Sequence, residues 1–316
     1  MVLNNNYSDM LSLILVKKIA SLFIIMALGF AAVRLRVLKA EDSKVLSKIS
    51  IYVITPCMIL NSFQVERDEG VLFNFLISLA VAAIIHLAFI VIGTLLKKPL
   101  KLSAVEEASI EYPNAGNLVI PLVIAMFGND MVVYTLPFIT VTSFLIWTHM
   151  VYIMSGGKLS AKMILLNINL ISIVVSFLMF VTNIRFPSVI KDAFQMCTDL
   201  IGPISMLITG MLLGGQNLRQ IFGNKRAYMV MLLRLIIFPL LALAFYKLAR
   251  VDTWTRGGET VILISFLATC SASASTVVSL SQVYNLDADH ASTINLLTSV
   301  FCIVTIPLLI MLYQAI

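Results

Sequence analysis

The chain has 316 residues, of which 60% are hydrophobic and only 12% are charged, and its mean hydropathy is +1.00. This composition excludes a soluble globular domain and indicates an all-α integral membrane protein whose surroundings are the lipid bilayer. The formal net charge of +6 requires no nucleic-acid partner, because the basic residues mainly mark the loops that face the cytoplasm.

Ten apolar segments follow one another along the chain, each about as long as the roughly 20 residues that cross a bilayer. The connections are short and leave no room for an inserted domain. The first segment resembles a signal peptide, but nine more follow it, so we interpret it as a membrane span. Spans one to ten are residues 11–33, 45–64, 71–96, 104–127, 131–154, 163–183, 190–214, 226–248, 260–283 and 290–314.

Lysine and arginine are concentrated in the loops that follow odd-numbered spans. Those loops hold Arg34, Arg36, Lys39, Lys44, Lys48, Lys97, Lys98, Lys101, Lys158, Lys162, Arg219, Lys225 and Arg226. The other loops hold only Arg67, Arg185, Lys191, Lys247, Arg250 and Arg256. Because the richer set belongs in the cytoplasm, we predict a multi-pass protein with both termini extracytoplasmic.

Four cysteines lie in or beside the spans, and none is close to another in the sequence. They are Cys57, Cys197, Cys270 and Cys302. Metal ligands and redox motifs need closely spaced cysteines, so we interpret these as buried free thiols. We predict neither a metal site nor a cofactor.

Span four is interrupted by a polar, helix-breaking run of residues. Unpaired backbone groups in hydrocarbon cost roughly several kcal/mol each, so such a run persists only where it is buried in protein or lines a wet cavity. The run therefore predicts a substrate site, and its candidate binding residues are Pro113, Asn114, Gly116, Asn117 and Pro121.

An internal repeat relates the two halves of the chain. Residues 113–155 align in register with 270–312, and the proline-containing stretch 55–60 of span two aligns with 202–207 of span seven. The repeats are residues 1–157 and 158–316, with five spans each. Because five is odd, the second half enters the bilayer from the opposite side, which gives two inverted five-helix repeats.

The repeat places the broken span four opposite span nine, which has a Ser/Ala/Thr run at its middle. Hydroxyl groups there can bond freed carbonyls or a ligand, although ordinary packing of small residues is the alternative interpretation. Asn61, one turn past Pro56 in span two, either lines the same cavity or packs in the core. The candidates in span nine are Ser271, Ser273, Ser275 and Thr276.

The sequence Tyr112-Pro113-Asn114 and the stretch 118–128 closely resemble the fourth span of the auxin efflux carrier family. This family includes the plant PIN-FORMED carriers and bacterial permeases for malate and malonate. Residues 199–214 are similar to the family's span seven, and residues 283–293 are similar to its stretch leaving span nine. The resemblance therefore covers nearly the whole chain and favours a bacterial inner (plasma) membrane protein.

The resemblance implies ten transmembrane helices in two inverted repeats, with helices four and nine broken and crossing, as in the bile-acid sodium symporters. It assigns spans 1, 2, 6 and 7 to a scaffold that forms a homodimer, and spans 3–5 and 8–10 to a moving transport part. The plant carriers have a proline in the middle of span nine. Residues 270–276 have none, which predicts a milder second break.

Physical chemistry indicates the kind of substrate. A half-helix that starts after a break presents unpaired N–H groups and a positive dipole end, and Asn114 and Asn117 add side-chain donors. We therefore expect a small organic anion carried by alternating access. An anion channel is the alternative. An intramembrane enzyme is disfavoured, because the sequence has no His-Glu-x-x-His pattern and no paired aspartates inside the spans.

Ionisable residues inside the spans are candidates for coupling, because each is costly to bury. Glu111 and Arg234 reach similar depths, so they can pair, and protonating Glu111 would then free Arg234; an arginine snorkelling to the interface is the alternative. His86 either couples transport to protons or is a neutral core histidine. Asp199 either meets a cation or marks the outer interface.

Overall fold

The computed structural model describes residues 5–64, 69–158, 161–254 and 258–316, and no β-strand forms among them. The first half contains α1 (Asn5–Arg34), α2 (Ser43–Ile49), α3 (Thr55–Ser62), α4 (Glu69–Leu100), α5 (Ala104–Glu111), α6 (Ala115–Phe127), α7 (Leu136–Leu145) and α8 (Val151–Met154). The second half contains α9 (Ala161–Leu165), α10 (Ile168–Thr182), α11 (Ser188–Asp199), α12 (Ile201–Gly215), α13 (Leu218–Phe222), α14 (Lys225–Leu232), α15 (Phe238–Leu248), α16 (Gly258–Thr269), α17 (Ser275–Val283) and α18 (Ala288–Ala315).

Within the described residues, six helical stretches are long and apolar enough to cross a membrane without interruption. They are Ala40–Ser62, Phe73–Leu100, Met131–Met154, Ser188–Gly215, Lys225–Leu248 and Ala288–Ala315. Three shorter apolar helices accompany them, namely Ala20–Arg34, Ile168–Thr182 and Gly258–Thr269. The chain is therefore an all-helical, multi-pass membrane protein.

Three of the long rods pass through a π-helical turn, at Ser50–Ile54, Ile146–Met150 and Leu233–Ile237. The turn Ser50–Ile54 comes directly before Pro56, which occupies one of the first two positions of α3. The helical angles continue through Ile54 and Thr55, so the missing N–H of Pro56 takes one donor out of the rod. The Thr55 hydroxyl donates to the Ser50 carbonyl at 2.8 Å within this turn. The rod of span two therefore continues through its proline.

Helices α1 and α12 pack with their backbones almost in contact, and glycines make this possible. A Cβ atom on Gly210 would lie 2.0 Å from the carbonyl oxygen of Met26, and one on Gly29 would lie 2.6 Å from that of Leu207. Only residues without a side chain allow this approach. The two helices thus form a tightly packed pair.

Packing among the described helices forms two sets, which also touch each other where α1 contacts α6 and α18 and where α12 contacts α18. In the first set, α1 packs on α12, and α3 packs on α10 and α11. In the second set, α4 packs on α7, and α18 packs on α14 and α17. The two interrupted helices, α5 to α6 and α16 to α17, belong to the second set and meet at their interruptions.

Candidate functional site

The first interruption follows from the sequence around Pro113. Helix α5 starts at a capping box, in which the Ser103 side chain accepts from the Glu106 N–H and the Glu106 carboxylate accepts from the Ser103 N–H. It ends at Glu111, because the residue before a proline avoids helical backbone angles. Tyr112 accordingly is extended, with φ −107° and ψ 115°. The chain resumes helical structure at Ala115.

The second interruption has no proline, yet α16 ends at Thr269 and α17 begins only at Ser275. Side chains of α18 hold the intervening backbone: the Ser273 N–H donates to Thr298 Oγ1 (3.2 Å), and Asn295 Nδ2 donates to the Ser273 carbonyl (3.1 Å). These bonds replace the lost helical ones. The milder break that the missing proline suggested is therefore not observed, because neighbouring side chains supply the partners.

The two interruptions pair with each other in antiparallel fashion. The Asn114 N–H donates to the Ala272 carbonyl and the Ala274 N–H donates to the Tyr112 carbonyl, both at 2.8 Å, with Pro113 opposite Ser273. Backbone groups of each interruption are thus satisfied by the other, as buried backbone groups must be. The four half-helices therefore meet at one point.

Arg234 lies on one side of this meeting point and is fully buried. Its guanidinium donates to the carbonyls of Thr269 (2.7 Å), Ile110 (3.0 Å) and Ser271 (3.2 Å), and it lies 5.8 Å from the Phe89 ring centre. The first two carbonyls are in the last turns of α16 and α5. A cation at two helix C-termini complements the negative ends of both dipoles.

The N-termini of α6 and α17 lie at a cavity between the two helix sets. The volume of the cavity is about 70 Å³, whereas a single water needs roughly 10–15 Å³. The meeting point contributes Pro113, Asn114, Ala115, Ala274, Ser275 and Thr276 to its lining. The first N–H groups of both helices therefore border a space large enough for a small solute.

The other walls of the cavity carry hydroxyl and apolar groups. From α2 to α3 come Ser50, Ile51, Thr55 and Met58; from α7 and its π turn come Ile139, Thr142, Ser143, Ile146 and Trp147; α12 and α17 add Ile201, Ser205 and Ser279. No lining residue in the described part of the chain is charged. The helix N-termini, each equivalent to roughly half a positive charge, are therefore the main electrostatic feature.

The structure brings together four of the predicted binding residues, Pro113, Asn114, Ser275 and Thr276, in the cavity wall. Asn114 is buried (8% exposed), and its side chain makes no hydrogen bond to the other described residues. Its amide is thus available to a ligand. The remaining candidates of the first interruption lie in α6, and their surroundings are outside the described part of the structure; they are Gly116, Asn117 and Pro121.

Ser271 and Ser273 support the second interruption instead of lining the cavity. The Ser271 hydroxyl donates to the Ala268 carbonyl at 2.8 Å, and Ser273 is bonded through its backbone to α18. The Ser/Ala run thus has two functions: its first hydroxyls hold the unwound backbone, and Ser275 and Thr276 face the cavity.

Asn61 and Asp199 belong to a different polar group, at the junction of α3 and α11. Asn61 Nδ2 donates to Gln195 Oε1 and Gln195 Nε2 donates to Asp199 Oδ1, both at 2.7 Å. The cavity lining comes from Thr55 and Met58, about one turn earlier in span two. Asn61 is therefore displaced from the cavity that it was expected to share.

His86 has a hydrogen bond at each ring nitrogen. Nδ1 lies 2.8 Å from the Ala82 carbonyl and Nε2 lies 2.8 Å from Thr142 Oγ1, and the ring is buried. A carbonyl can only accept, so Nδ1 carries a hydrogen. The Thr142 hydroxyl has a single hydrogen, which it can give to Nε2 or to the Phe138 carbonyl at 2.7 Å. Because the described residues place no carboxylate against this buried ring, a neutral ring that accepts from Thr142 is favoured over a charged one. This geometry favours the core-histidine interpretation, in which His86 orients a cavity-lining threonine.

The expected pairing of Glu111 with Arg234 is wrong. All described contacts of the Arg234 guanidinium are to carbonyls and to the Phe89 ring, whereas the Glu111 carboxyl faces His149, with 3.5 Å between Oε2 and Nδ1. Similar depth in the membrane does not fix the direction in which a helical side chain points. Arg234 does not snorkel either, since it is fully buried.

Sequence reasoning missed several site residues. Thr142, Ser143 and Trp147 lie in a span that also contains Thr135, Thr140, Thr148 and His149, so its polar residues do not by themselves show which of them face a cavity. Asn295 and Thr298 act on the neighbouring interruption instead of their own helix. Asn295 carries a usable signal, because a buried amide inside an apolar span needs a partner. Its target could not be found from the sequence, because that depends on how α18 packs on α17.

The membrane transport protein family matches this chain over residues 14–165 and again over residues 158–310. The two matches together cover nearly the whole chain. No curated protein matches it significantly. Members of the family are transporters and not enzymes. The chain therefore belongs to the membrane transport protein family, the auxin efflux carrier family that its fourth span resembles, and it is a membrane-embedded, multi-pass transporter.

Proposed function

We propose that this transporter carries a small organic anion, a carboxylate or dicarboxylate of the malate or auxin type. One observation carries the proposal: two helix N-termini and the Asn114 side-chain amide, which has no hydrogen bond to the described residues, face a cavity whose described lining holds no charged side chain. Arg234 compensates the opposite, negative helix ends outside this cavity. The site therefore favours negative charge without containing a fixed counter-charge that would hold the solute too tightly.

The size of the cavity favours a compact acid. Its volume corresponds to about five water-sized groups, and Trp147, Ile51 and Ile139 in the wall can pack against a short carbon chain. Hydroxyls of Ser275, Thr276 and neighbouring residues can bond a second carboxylate or a substrate hydroxyl. A short dicarboxylate fits this combination better than a bulky aromatic acid does.

We further propose elevator-type alternating access. The cavity is bounded on one side by spans two and seven, which belong to the scaffold, and on the other by the meeting interruptions and span five, which belong to the transport part. Movement of the second helix set along the first would carry the site across the membrane. The close α1 and α12 packing at Gly29 and Gly210 suits a scaffold that stays rigid.

The ten-span arrangement belongs to the same proposal, with repeats 1–157 and 158–316, a scaffold of spans 1, 2, 6 and 7, and a transport part of spans 3–5 and 8–10. The antiparallel pairing of Pro113 with Ser273 supports an inverted relation between the halves. The Lys/Arg distribution supports extracytoplasmic termini. We place the protein in a bacterial inner membrane.

We also propose a homodimer formed through the scaffold. No residue of α11 is buried in the single chain, and its exposed side chains include Asp192, Gln195 and Asp199. Polar groups at this position in a span need protein or water beside them, because lipid offers no hydrogen bonds. A second copy packed against α11 would provide that shelter.

The test is uptake of radiolabelled mono- and dicarboxylates, including malate and malonate, into proteoliposomes. We expect saturable flux with counterflow for at least one short dicarboxylate, and at least a tenfold loss of kcat/KM in Asn114→Ala, since one lost charge-assisted hydrogen bond is worth about 1.5–3 kcal/mol. Asn61→Ala is the matched control, because it removes the same amide outside the cavity, and should transport normally.

Two outcomes would overturn the proposal. Conductance without saturation or counterflow would indicate an anion channel. Equal flux in Asn114→Ala and the unaltered protein, with both well folded, would remove the cavity from the transport path.

A further inference from the structure

The carboxyl group of Glu111 is enclosed without a hydrogen bond. Its side chain is 0% exposed, and neither oxygen has a hydrogen-bond partner within the described residues. The carboxyl packs directly on Gly93 of α4, where an added Cβ would lie only 2.1 Å from Oε1. A bare carboxylate in such a place is very costly, whereas a protonated carboxyl is tolerated.

The nearest titratable group is His149, at the π turn after α7. Its Nδ1 lies 3.5 Å from Glu111 Oε2 and 2.8 Å from the Tyr112 hydroxyl, and its side chain is 26% exposed. Glu111 is therefore enclosed, but its neighbour reaches the surface. His149 can therefore pass a proton between the Glu111 carboxyl and the surface.

The other charged groups around α5 are occupied by partners of their own. Lys97 of α4 pairs with Glu107 at 2.7 Å. Arg226 of α14 and His290 of α18 both bond Glu106, and Arg234 bonds carbonyls. Glu107, one turn before Glu111, places a negative charge nearby and so disfavours a second one. The described surroundings thus offer no cation dedicated to Glu111.

We propose that Glu111 and His149 form a proton-binding site that couples proton movement to transport. In one arrangement Glu111 is protonated, and neutral His149 accepts from Tyr112 at Nδ1. In the other, the proton has moved from Glu111 Oε2 to His149 Nδ1, and the imidazolium donates to the carboxylate. Release of a proton from Nε2 to water then completes the exchange of one proton.

Tyr112 connects this site to the substrate cavity. Its hydroxyl has two acceptors within reach, His149 Nδ1 at 2.8 Å and the Leu145 carbonyl at 3.4 Å. When Nδ1 is protonated it can no longer accept, so the hydroxyl must turn to Leu145. The backbone carbonyl of Tyr112 accepts from the Ala274 N–H at the meeting point. Protonation of His149 therefore changes the hydrogen-bond partner of a residue whose backbone holds the two interruptions together.

The coupling rests on the proposed anion transport, and its first test uses flux. In proteoliposomes, malonate uptake should change at least fivefold when a pH gradient is imposed. Glu111→Gln, which keeps the shape of the protonated carboxyl, should retain malonate counterflow and lose that response. Glu107→Gln, one turn away on the same helix, removes only the neighbouring charge and the partner of Lys97, so it should keep a pH response with a shifted midpoint. An unchanged pH response in Glu111→Gln overturns the coupling.

A second measurement needs no transport and so separates this inference from the proposed function. Infrared difference spectra of the protein in lipid, recorded between acidic and alkaline pH, should contain the carbonyl stretch of a protonated, non-hydrogen-bonded carboxyl. That band should be absent in Glu111→Gln. In His149→Gln, the pH at which the band disappears should shift. A spectrum that is the same in all three proteins overturns the proton site, even if anion flux is normal.

Discussion

Between α5 and α6 the backbone leaves the helix at Pro113, whereas between α16 and α17 no proline is present and side chains impose the same change of direction. The first interruption is determined by the local sequence, because proline lacks an N–H and restricts the backbone angles of the residue before it. The second depends on Asn295 and Thr298 of α18 and on Arg234, which donates to two carbonyls there and to one, that of Ile110, beside the first interruption.

This difference shows that an interrupted membrane helix can be specified in two ways. An interruption caused by a proline in the segment itself persists wherever that segment is placed. An interruption held by side chains from other helices exists only while those helices pack against it. We therefore expect the second interruption to be the more sensitive of the two to substitutions elsewhere, and three substitutions test this in decreasing order of effect.

Arg234→Met should have the largest effect. It leaves three buried carbonyls without their donor and removes the cation from two helix C-termini, so we expect a loss of about 3 kcal/mol or more in the free energy of unfolding. Arg234→Lys keeps the charge with fewer, less directed donors and should lose less. Thermal unfolding in lipid nanodiscs measures both. Equal stability of all three proteins would mean that Arg234 does not fasten the meeting point.

Thr298→Val should have an intermediate effect on the second interruption. The substitution leaves the Ser273 N–H buried without its acceptor, which costs about 1–3 kcal/mol. Thr305→Val on the same helix is the control, because the buried Thr305 hydroxyl has no hydrogen-bond partner among the described residues, and it should cost much less. If the two variants unfold at the same temperature, α18 does not hold the interruption through Thr298.

Pro113→Ala should have the smallest effect on stability, about 1 kcal/mol, because the backbone pairing of Tyr112 and Asn114 with the second interruption remains. Hydrogen exchange at the backbone N–H groups of Asn114 and Ala274, which form the pairing, should show that both are still protected. A larger loss than in Thr298→Val would reverse the comparison and make the proline the main support of the site.

The same contrast explains what could be predicted from sequence. The positions of the six long apolar helices follow from hydropathy. The interruption at Pro113 follows from proline chemistry, and the helix of span four ends at Glu111. The interruption in span nine can be predicted only from the alignment of that span with span four. Its length cannot be predicted by looking for a proline, because no proline causes it. Local rules cannot show the contribution of Asn295 and Thr298.

Side-chain direction was the second thing that sequence could not supply. The sequence places Glu111 and Arg234 at similar depth, and Arg234 does bond the carbonyl of the neighbouring Ile110, but the Glu111 carboxyl points to His149. A span count gives height along the membrane normal, whereas pairing depends on rotation about each helix axis, which packing decides. Asn61 was misplaced for a similar reason, since one further helical turn carries it past the cavity to Gln195.

The most direct test of the account is where a bound substrate carboxylate lies. Solid-state NMR dipolar recoupling can measure the proximity of a ¹³C-labelled malonate carboxyl carbon to ¹⁵N-labelled protein in lipid. We predict contact with the Asn114 amide and with the backbone nitrogens of Ser275 and Thr276, at the N-terminus of α17, and loss of these contacts in Asn114→Asp. Saturable malonate transport with carboxylate contacts confined to other parts of the protein would contradict the account.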